Sequence, residues 1–220
     1  MVNTVNFITK DERSTVAARP ANPRLAHDII EAAASLVEER GPEGITMRLV
    51  ADRIGYSPTT IYLYFKNKEH LLDETVNRAY DWFAEHLERA QTGASAPERL
   101  RQGAHAYLDW GLQNPGMYRL MFEWGYLGDI SEEAIFARRA SWRRTRNVIE
   151  RGVEEGAFRS GLDSATAADT MWVGIHGLTS LALSGRMFGN PGVADPAVVH
   201  GRSHQLADAL ADSWEAAWRP

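Results

Sequence analysis

Apolar residues recur at helical spacing along most of the chain, and no alternating strand pattern lasts longer than four residues. This periodicity predicts an all-α protein of about nine helices. Serine, threonine, asparagine and aspartate precede many of the apolar runs, as expected at helix starts, and Ser95 and Asn114 are two of these predicted caps. The predicted helices cover approximately residues 23–40, 46–54, 59–64, 67–90, 97–113, 115–125, 131–155, 163–188 and 196–217.

The stretch 46–68 contains two short helices joined by a tight turn. Thr46 is a capping residue for the first, and Gly55 ends it because glycine adopts left-handed φ angles freely. Ser57 caps the second helix, with Pro58 at its first position. This arrangement is typical of a helix-turn-helix, whose second helix enters the major groove of DNA.

Charge is distributed unevenly around this stretch. The whole chain carries a net charge of −5, but residues 46–68 hold four basic residues and one acidic residue, a net of +3. Residues 1–72 hold nine of each, so the acidic excess lies in residues 73–220. A local excess of cations suits a polyphosphate partner. We therefore expect a flexible arm over residues 1–22, a DNA-binding domain over 23–72, and a helical effector-binding and dimerisation domain over 73–220.

The last two predicted helices have unusually apolar surfaces. The helix over 163–188 is apolar nearly all round, which indicates burial on every side. The final helix carries an apolar stripe too exposed for a monomer. A two-fold homodimer through these helices accounts for both features, and a palindromic operator would follow from that symmetry. The predicted interface residues are Leu183, Met187, Leu206, Leu210 and Trp214.

Aromatic residues are concentrated on three neighbouring helices of the larger domain. Such a lining suits an apolar or aromatic small molecule, with a histidine or tyrosine as the polar contact. The alternative is a filled core in which His176 bonds to a carbonyl. The filled core is favoured for any single residue, and a pocket is favoured for the domain as a whole. The candidates are Tyr107, Trp110, Tyr118, Met121, Phe122, Trp124, Trp172 and His176.

The run from Gly55 to Glu69, GYSPTTIYLYFKNKE, resembles the DNA-binding signature of the TetR (tetracycline-repressor-type) family. The resemblance covers roughly residues 24–75, and it departs from the family pattern at Tyr56, where a small aliphatic residue is usual. It implies phosphate contacts by Tyr62 and Tyr64, for which ordinary packing is the alternative. The DNA contacts that the motif and the resemblance together predict are Thr46, Arg48, Ser57, Thr59, Thr60, Tyr62, Tyr64 and Lys68.

Two further patterns resemble one C-terminal subgroup of that family. They are the W-x-x-x-H-G run from Trp172 to Gly177 and the segment from Asn114 to Phe122. Together with the helix-turn-helix, they imply a homodimeric transcriptional repressor. A small-molecule effector would release it from double-stranded DNA. The rival hypothesis is a small-molecule-binding or scaffold protein without specific DNA recognition.

Other functional classes find little support in the residues. No cysteine is present, and no phosphate-binding loop, dinucleotide fingerprint or hydrolase motif occurs, so we expect neither an enzyme nor a cofactor. His200 and His204 are four residues apart but have no evident third ligand, so no metal site is expected. The arginine-rich run over 138–151 favours a salt-bridged face over a second nucleic-acid site. With no secretory signal and no run of 18 apolar residues, we expect a cytoplasmic protein without a membrane span.

Overall fold

The computed structural model describes residues 22–124, 132–186 and 195–220, and within these ranges it is all-helical. Ten α-helices and one short 3-10 turn, Pro42–Gly44, make up this part of the chain. The helices are α1 Pro23–Arg40, α2 Met47–Ile54, α3 Pro58–Tyr62, α4 Lys68–Ala90, α5 Ala96–Gln113, α6 Pro115–Phe122, α7 Glu132–Arg138, α8 Ala140–Glu154, α9 Ser164–Leu183 and α10 Pro196–Trp218.

The all-α prediction is confirmed, with one correction to the helix count. The predicted helix over 131–155 is two helices, α7 and α8, because the helical conformation is interrupted at Arg139, with φ −86° and ψ 6°. The recognition helix α3 also ends at Tyr62, two residues earlier than predicted. Residues 1–21 of the predicted arm over 1–22, and the predicted interface residue Met187, lie outside the described residues.

Most of the predicted helix caps are present. The hydroxyl of Thr46 accepts from the Leu49 N–H at 3.2 Å, and Ser57 caps α3 in the same way. Ser95 and Glu98 form a reciprocal capping box at the start of α5. Among the described residues Asn114 is the exception, because its side chain donates to the Trp110 carbonyl and does not cap α6.

The first three helices form a small unit around a shared apolar core. Ile29 and Val37 of α1, Val50 of α2 and Ile61 of α3 are each inaccessible to solvent. Gly55 ends α2 in the left-handed region, with φ 73° and ψ 30°, as predicted. Helix α3 follows this turn, and the exposed Tyr62 shows that one side of α3 is uncovered.

The remaining helices form a bundle in which α5 is central. It packs against α4, α8, α9 and α10, and α4 extends from the N-terminal unit to the bundle. Tyr107, Leu108 and Trp110 of α5 are buried at the middle of this arrangement. Although α9 is strongly apolar, none of the helices in the described ranges combines the length and hydropathy that crossing a bilayer requires.

A carboxylate of α1 caps α6 and so joins the two parts of the molecule. Glu38 accepts hydrogen bonds from the backbone N–H groups of Gly116 and Met117, at 2.9 and 2.7 Å. These are N–H groups of the first turn of α6, which have no partner inside their own helix. The approach is close enough that a Cβ at Gly116 would lie 2.6 Å from the Val37 carbonyl oxygen and 2.8 Å from the Glu38 Cα.

We expect Gly116→Ala to destabilise the protein by about 1–3 kcal/mol, because the added methyl group forces α6 away from the backbone of α1. Urea unfolding measures the change. Gly201→Ala is the matched control, since that helical glycine has open space around its Cβ position. Its replacement should be neutral or stabilising by up to about 1 kcal/mol. Equal stability of the two variants would contradict the close-packed contact.

Candidate DNA interface and effector cavity

Helix α3 presents an uncovered surface beside its buried side. Ile61 is fully buried, whereas the Tyr62 side chain on the same short helix is 54% exposed. Thr59 is also exposed, and Tyr56 and Leu63 extend the same surface at the two ends of the helix. Tyr56 was the departure from the family pattern, and its ring stands in solvent at the turn. The unit therefore offers a surface of hydroxyl and aromatic groups that no other part of the described chain covers.

Several of the predicted DNA contacts also hold the local structure. Ser57 accepts from the Thr60 N–H, and the two hydroxyl oxygens lie 3.0 Å apart. The Tyr64 hydroxyl accepts from the Asn22 N–H at 3.0 Å, which brings the start of α1 beside α3. The Lys68 ammonium donates to the Glu43 carbonyl at 3.1 Å. A tyrosine hydroxyl and an ammonium group keep further N–H or O–H donors for another partner.

The basic residues of this unit differ in how tightly they pair with acidic side chains. Arg53 donates two hydrogen bonds to Glu39, at 2.7 and 2.8 Å, and ties α2 to α1. The same guanidinium lowers the pKa of the Glu39 carboxyl. Arg48 is exposed and has only a loose ion pair with Asp52, at 3.9 Å. The net charge of residues 46–68 counts both arginines, although only Arg48 was predicted to contact DNA. In the structure Arg53 is bound to Glu39, and Arg48 is exposed.

The bundle contains a cavity of about 560 Å³ between α4, α6, α7, α8 and α9. This volume lies within the range typical of small-molecule sites. Five aromatic rings line it, together with two arginines at one side. The lining residues include Tyr80, Phe83, Phe122, Trp142 and Trp172, with Arg138, Arg139, Ser141 and Asp169 as polar groups.

The eight predicted ligand contacts are distributed over different environments. Phe122 and Trp172 line the large cavity. Tyr107 and Trp172 line a neighbouring cavity of about 50 Å³, which shares Ser141 and Trp142 with the large one. The others are on neither wall in the structure. Trp110 and Tyr118 are buried, whereas Met121, Trp124 and His176 are partly buried.

A tyrosine–histidine network stands behind the cavity wall. The Nδ1 atom of His176 lies 2.7 Å from the Tyr118 hydroxyl and 3.0 Å from the Tyr107 hydroxyl. Tyr118 also donates to the His176 carbonyl, and the Trp172 ring stacks on the imidazole at 5.3 Å. Burial raises the pKa of both tyrosines and lowers the pKa of His176, so all three groups are neutral. The bonding partners of His176 are thus hydroxyls rather than the backbone carbonyl considered from sequence.

The predicted dimer residues lie on α9 and α10 at different depths. Leu183, Leu206 and Leu210 are partly buried, and Trp214 is buried against Gly174 within its own chain. Sequence reasoning missed three apolar side chains that are well exposed on these helices. They are Val173, Leu181 and Val198.

Ion pairs occupy much of the arginine-rich run. Arg138 pairs with Asp73, Arg144 with Glu88 at 2.8 Å, and Arg146 with Glu150 at 2.8 Å. The salt-bridged face is therefore present, but two of these partners come from α4 rather than from the same helix. The Arg138 and Arg144 pairs attach α7 and α8 to α4.

The expectation that His200 and His204 lack a nearby third ligand is wrong. Asp109 of α5 brings its carboxylate to both imidazoles, 2.9 Å from His204 Nε2 and 3.6 Å from His200 Nε2. Asp109 is about 90 positions away in the chain, so no local spacing could have indicated it.

An exposed helix that follows a glycine turn, attached to a helical bundle with an aromatic cavity, defines a helix-turn-helix DNA-binding protein. Comparison with known families agrees. Residues 29–75 match "Bacterial regulatory proteins, tetR family", and residues 100–214 match "Tetracyclin repressor-like, C-terminal domain". The second match covers more than half of the 220 residues. The chain belongs to the TetR family.

Individual relatives support the same class. The chain is 29% identical over 163 residues to the HTH-type transcriptional repressor KstR2 of Mycobacterium tuberculosis, covering 68% of this chain and 78% of that protein. A Rhodococcus sp. RHA1 structure of unknown function shares the fold at TM-score 0.75, with 20% identity, 95% of this chain covered and 100% of that chain. FadR of Bacillus subtilis in complex with stearoyl-CoA has TM-score 0.64 at 20% identity, covering 84% and 97%.

The protein is thus a DNA-binding transcriptional regulator and not an enzyme, as its family and its repressor relatives show. This membership does not favour the rival hypothesis of a scaffold without DNA recognition.

We expect the stability of the protein to fall as the pH drops below about 6.5, in part through His176. Burial lowers its pKa in the folded state, so the unfolded chain binds more protons at this residue below its unperturbed pKa of about 6.5. Urea unfolding as a function of pH should show a weaker dependence in this range for His176→Gln than for the unaltered chain. The same pH dependence in both proteins would contradict a buried neutral imidazole.

Proposed function

We propose that the protein is a homodimeric repressor that binds a palindromic operator and is released by an apolar or aromatic small molecule. The observation that carries this proposal is the position of the aromatic cavity. Its walls include α4 and α6, the two helices that also contact α1 of the DNA-binding unit. A molecule that changes these walls acts on helices joined directly to the DNA-binding unit.

The proposed DNA contacts lie around α3. Tyr62 and Thr59 face solvent and are suited to phosphates or base edges, and Arg48 supplies an exposed cation on α2 with only a loose ion pair. Tyr64 and Lys68 would contact phosphates with the donors that their internal hydrogen bonds leave over. Thr46 and Ser57, at the starts of α2 and α3, and Thr60 of α3 would also contact the DNA. We assign the DNA-binding domain to residues 23–72 and the effector and dimerisation domain to residues 73–220.

The proposed dimer uses the outer surfaces of α9 and α10. Val173, Gly177 and Leu181 lie at intervals of four residues, so they share one face of α9. Val173 and Leu181 are 62% and 49% exposed, and Val198 of α10 is 57% exposed. A second copy of the chain would cover these apolar side chains and would include the partly buried Leu183, Leu206 and Leu210. Two-fold symmetry would then present two copies of α3 to the two halves of a palindrome.

The proposed effector occupies the large cavity. Its five rings suit an apolar or aromatic body, and Arg138 and Arg139 suit a polar or anionic end. FadR, which shares the fold, was crystallised with stearoyl-CoA, a molecule that has an apolar part and an anionic part. Trp172 of the W-x-x-x-H-G motif forms part of the wall and stacks on His176. This pairing supports assigning the chain to the subgroup that carries the motif.

Two helices, α4 and α6, would transmit occupancy of the cavity to the DNA-binding unit. Arg138, a lining residue, binds Asp73 and Asn77 of α4. Phe122, at the other end of α6 from the Glu38 cap, lines the same cavity. An effector that favours one position of α6 and α4 would change the separation of the two α3 helices. It releases DNA only to the extent that it binds the DNA-free state better.

We expect Tyr62→Ala to weaken operator binding by about 1–3 kcal/mol, because the exposed ring and hydroxyl lose their DNA contact. Gel shifts at a fixed salt concentration, with DNA from upstream of the protein's own gene, measure the change. Tyr62→Phe separates the hydroxyl from the ring.

Phe136→Ala is the matched control, since it removes an exposed aromatic ring from α7, far along the chain from the helix-turn-helix. It should leave operator binding unchanged. Equal affinity of Tyr62→Ala and the unaltered protein would remove α3 from the proposed interface.

We expect the aromatic anion 8-anilinonaphthalene-1-sulfonate to bind in the large cavity and to lower operator affinity. Trp142 and Trp172 line the cavity, so their fluorescence should be quenched in a saturable way as the probe binds. Ser141→Phe fills part of the cavity and should weaken probe binding about tenfold or more. Fluorescence titration and gel shifts with and without the probe give the two measurements.

Glu154→Phe places the same side chain on an exposed position of α8 and should bind the probe normally. Unchanged probe binding by Ser141→Phe would place the site elsewhere. Binding in the cavity with no effect on operator affinity would argue against release by cavity occupancy.

A further inference from the structure

Four side chains meet where α5 packs against α10, away from the cavity and from α3. His105 and Asp109 are four residues apart on α5, and His200 and His204 are four residues apart on α10. Each pair therefore lies on one face of its helix, and the two faces meet. Asp109 Oδ1 is 2.9 Å from His204 Nε2 and 3.6 Å from His200 Nε2.

These distances suit a shared metal ion. Two ligand atoms of a tetrahedral Zn²⁺ site, each at 2.0–2.1 Å from the ion, lie about 3.3 Å apart. The ligand atoms of Asp109, His200 and His204 all lie within 4.8 Å of one another. The His200 side chain is 58% exposed, so water can reach the fourth position. Three protein ligands and an open position are one of the common arrangements of zinc.

The hydrogen bonds behind His204 match a metal-bound imidazole. His204 Nδ1 lies 2.7 Å from His105 Nδ1, and His105 Nε2 lies 2.8 Å from Asp208 Oδ1. If His204 binds the ion through Nε2, its proton is on Nδ1 and is donated to His105. His105 then carries its own proton on Nε2 and donates it to Asp208. Such carboxylate–histidine chains orient metal-ligating imidazoles.

Without a metal, this series of hydrogen bonds is one hydrogen atom short. The contacts Asp109–His204, His204–His105 and His105–Asp208 are three hydrogen bonds, and both ends are carboxylates that only accept. Two neutral imidazoles supply only two N–H groups. A metal ion between Asp109 and His204 would replace the first of these three hydrogen bonds, and two N–H groups then suffice for the other two.

The surrounding charge favours a cation. Arg101 lies beside this position, and its charge is shared among Asp208, Asp212 and Glu215. Asp109 adds a further carboxylate. Imidazole ligands favour zinc and similar transition metals over Mg²⁺ and Ca²⁺, which prefer oxygen ligands.

We propose that Asp109, His200 and His204 bind a divalent transition-metal ion such as Zn²⁺, and that His105 and Asp208 position His204. The ion joins α5, the central helix of the bundle, to α10, the last helix of the chain. Its consequence is a more stable attachment of α10. The site uses none of the proposed DNA, cavity or dimer residues, so its test is independent of the proposed function.

The test uses the full chain without a histidine tag, treated with EDTA and then dialysed. Calorimetric titration with ZnCl₂ should show saturable binding, and the melting temperature should rise with Zn²⁺ because the ion binds the folded state. His105→Ala should weaken binding about 10–100-fold, because it removes the hydrogen bond that orients His204. His200→Ala and Asp109→Asn should weaken it more, and Mg²⁺ should not compete.

His27→Ala is the matched control. His27 is exposed on α1 and pairs with Glu31 four residues along at 3.3 Å, a histidine–carboxylate pair without a third ligand. It should bind Zn²⁺ like the unaltered chain. Because His200 is largely exposed, its replacement leaves the folded state intact, which circular dichroism checks. Absence of Zn²⁺ binding, or equal binding by His200→Ala, overturns the proposal.

Discussion

The contact between Glu38 and the start of α6 holds the two parts of this molecule in register. A helix start leaves backbone N–H groups unsatisfied, and here the acceptor comes from α1 of the DNA-binding unit rather than from α6 itself. The negative charge also interacts favourably with the positive end of the α6 dipole. Gly116 permits the approach because it has no side chain to separate the two backbones. A movement of α6 therefore displaces α1 or breaks these hydrogen bonds.

The same helix forms part of the cavity wall, which gives the bundle its proposed regulatory role. Phe122 lines the cavity, and Tyr118, one turn earlier, is bound to His176 of α9. Burial keeps these polar groups neutral, so they bond to one another without the desolvation cost of a buried charge. A rigid polar network thus lies behind an apolar cavity, and α6 connects both to the DNA-binding unit.

Local features were predicted well, and long-range ones were not. The caps at Thr46, Ser57 and Ser95 and the left-handed turn at Gly55 depend on neighbouring residues, and they are present as expected. The break at Arg139 was missed because the apolar and basic pattern continues through it. Asn114 was expected to cap α6, but Glu38, 76 positions earlier in the chain, takes that role. The residues proposed for DNA and effector contact remain predictions.

By itself, the sequence determined the helical periodicity, the helix starts and the motif that marks the family. These follow from backbone geometry and from interactions within a few residues, which are visible in the order of side chains. Helix packing, by contrast, pairs Arg53 with Glu39, leaves Arg48 exposed with only a loose ion pair, and selects the aromatic rings that line the cavity. It also brought Asp109 to His200 and His204. Those outcomes depend on how whole helices pack, because packing brings together side chains that are far apart in the chain.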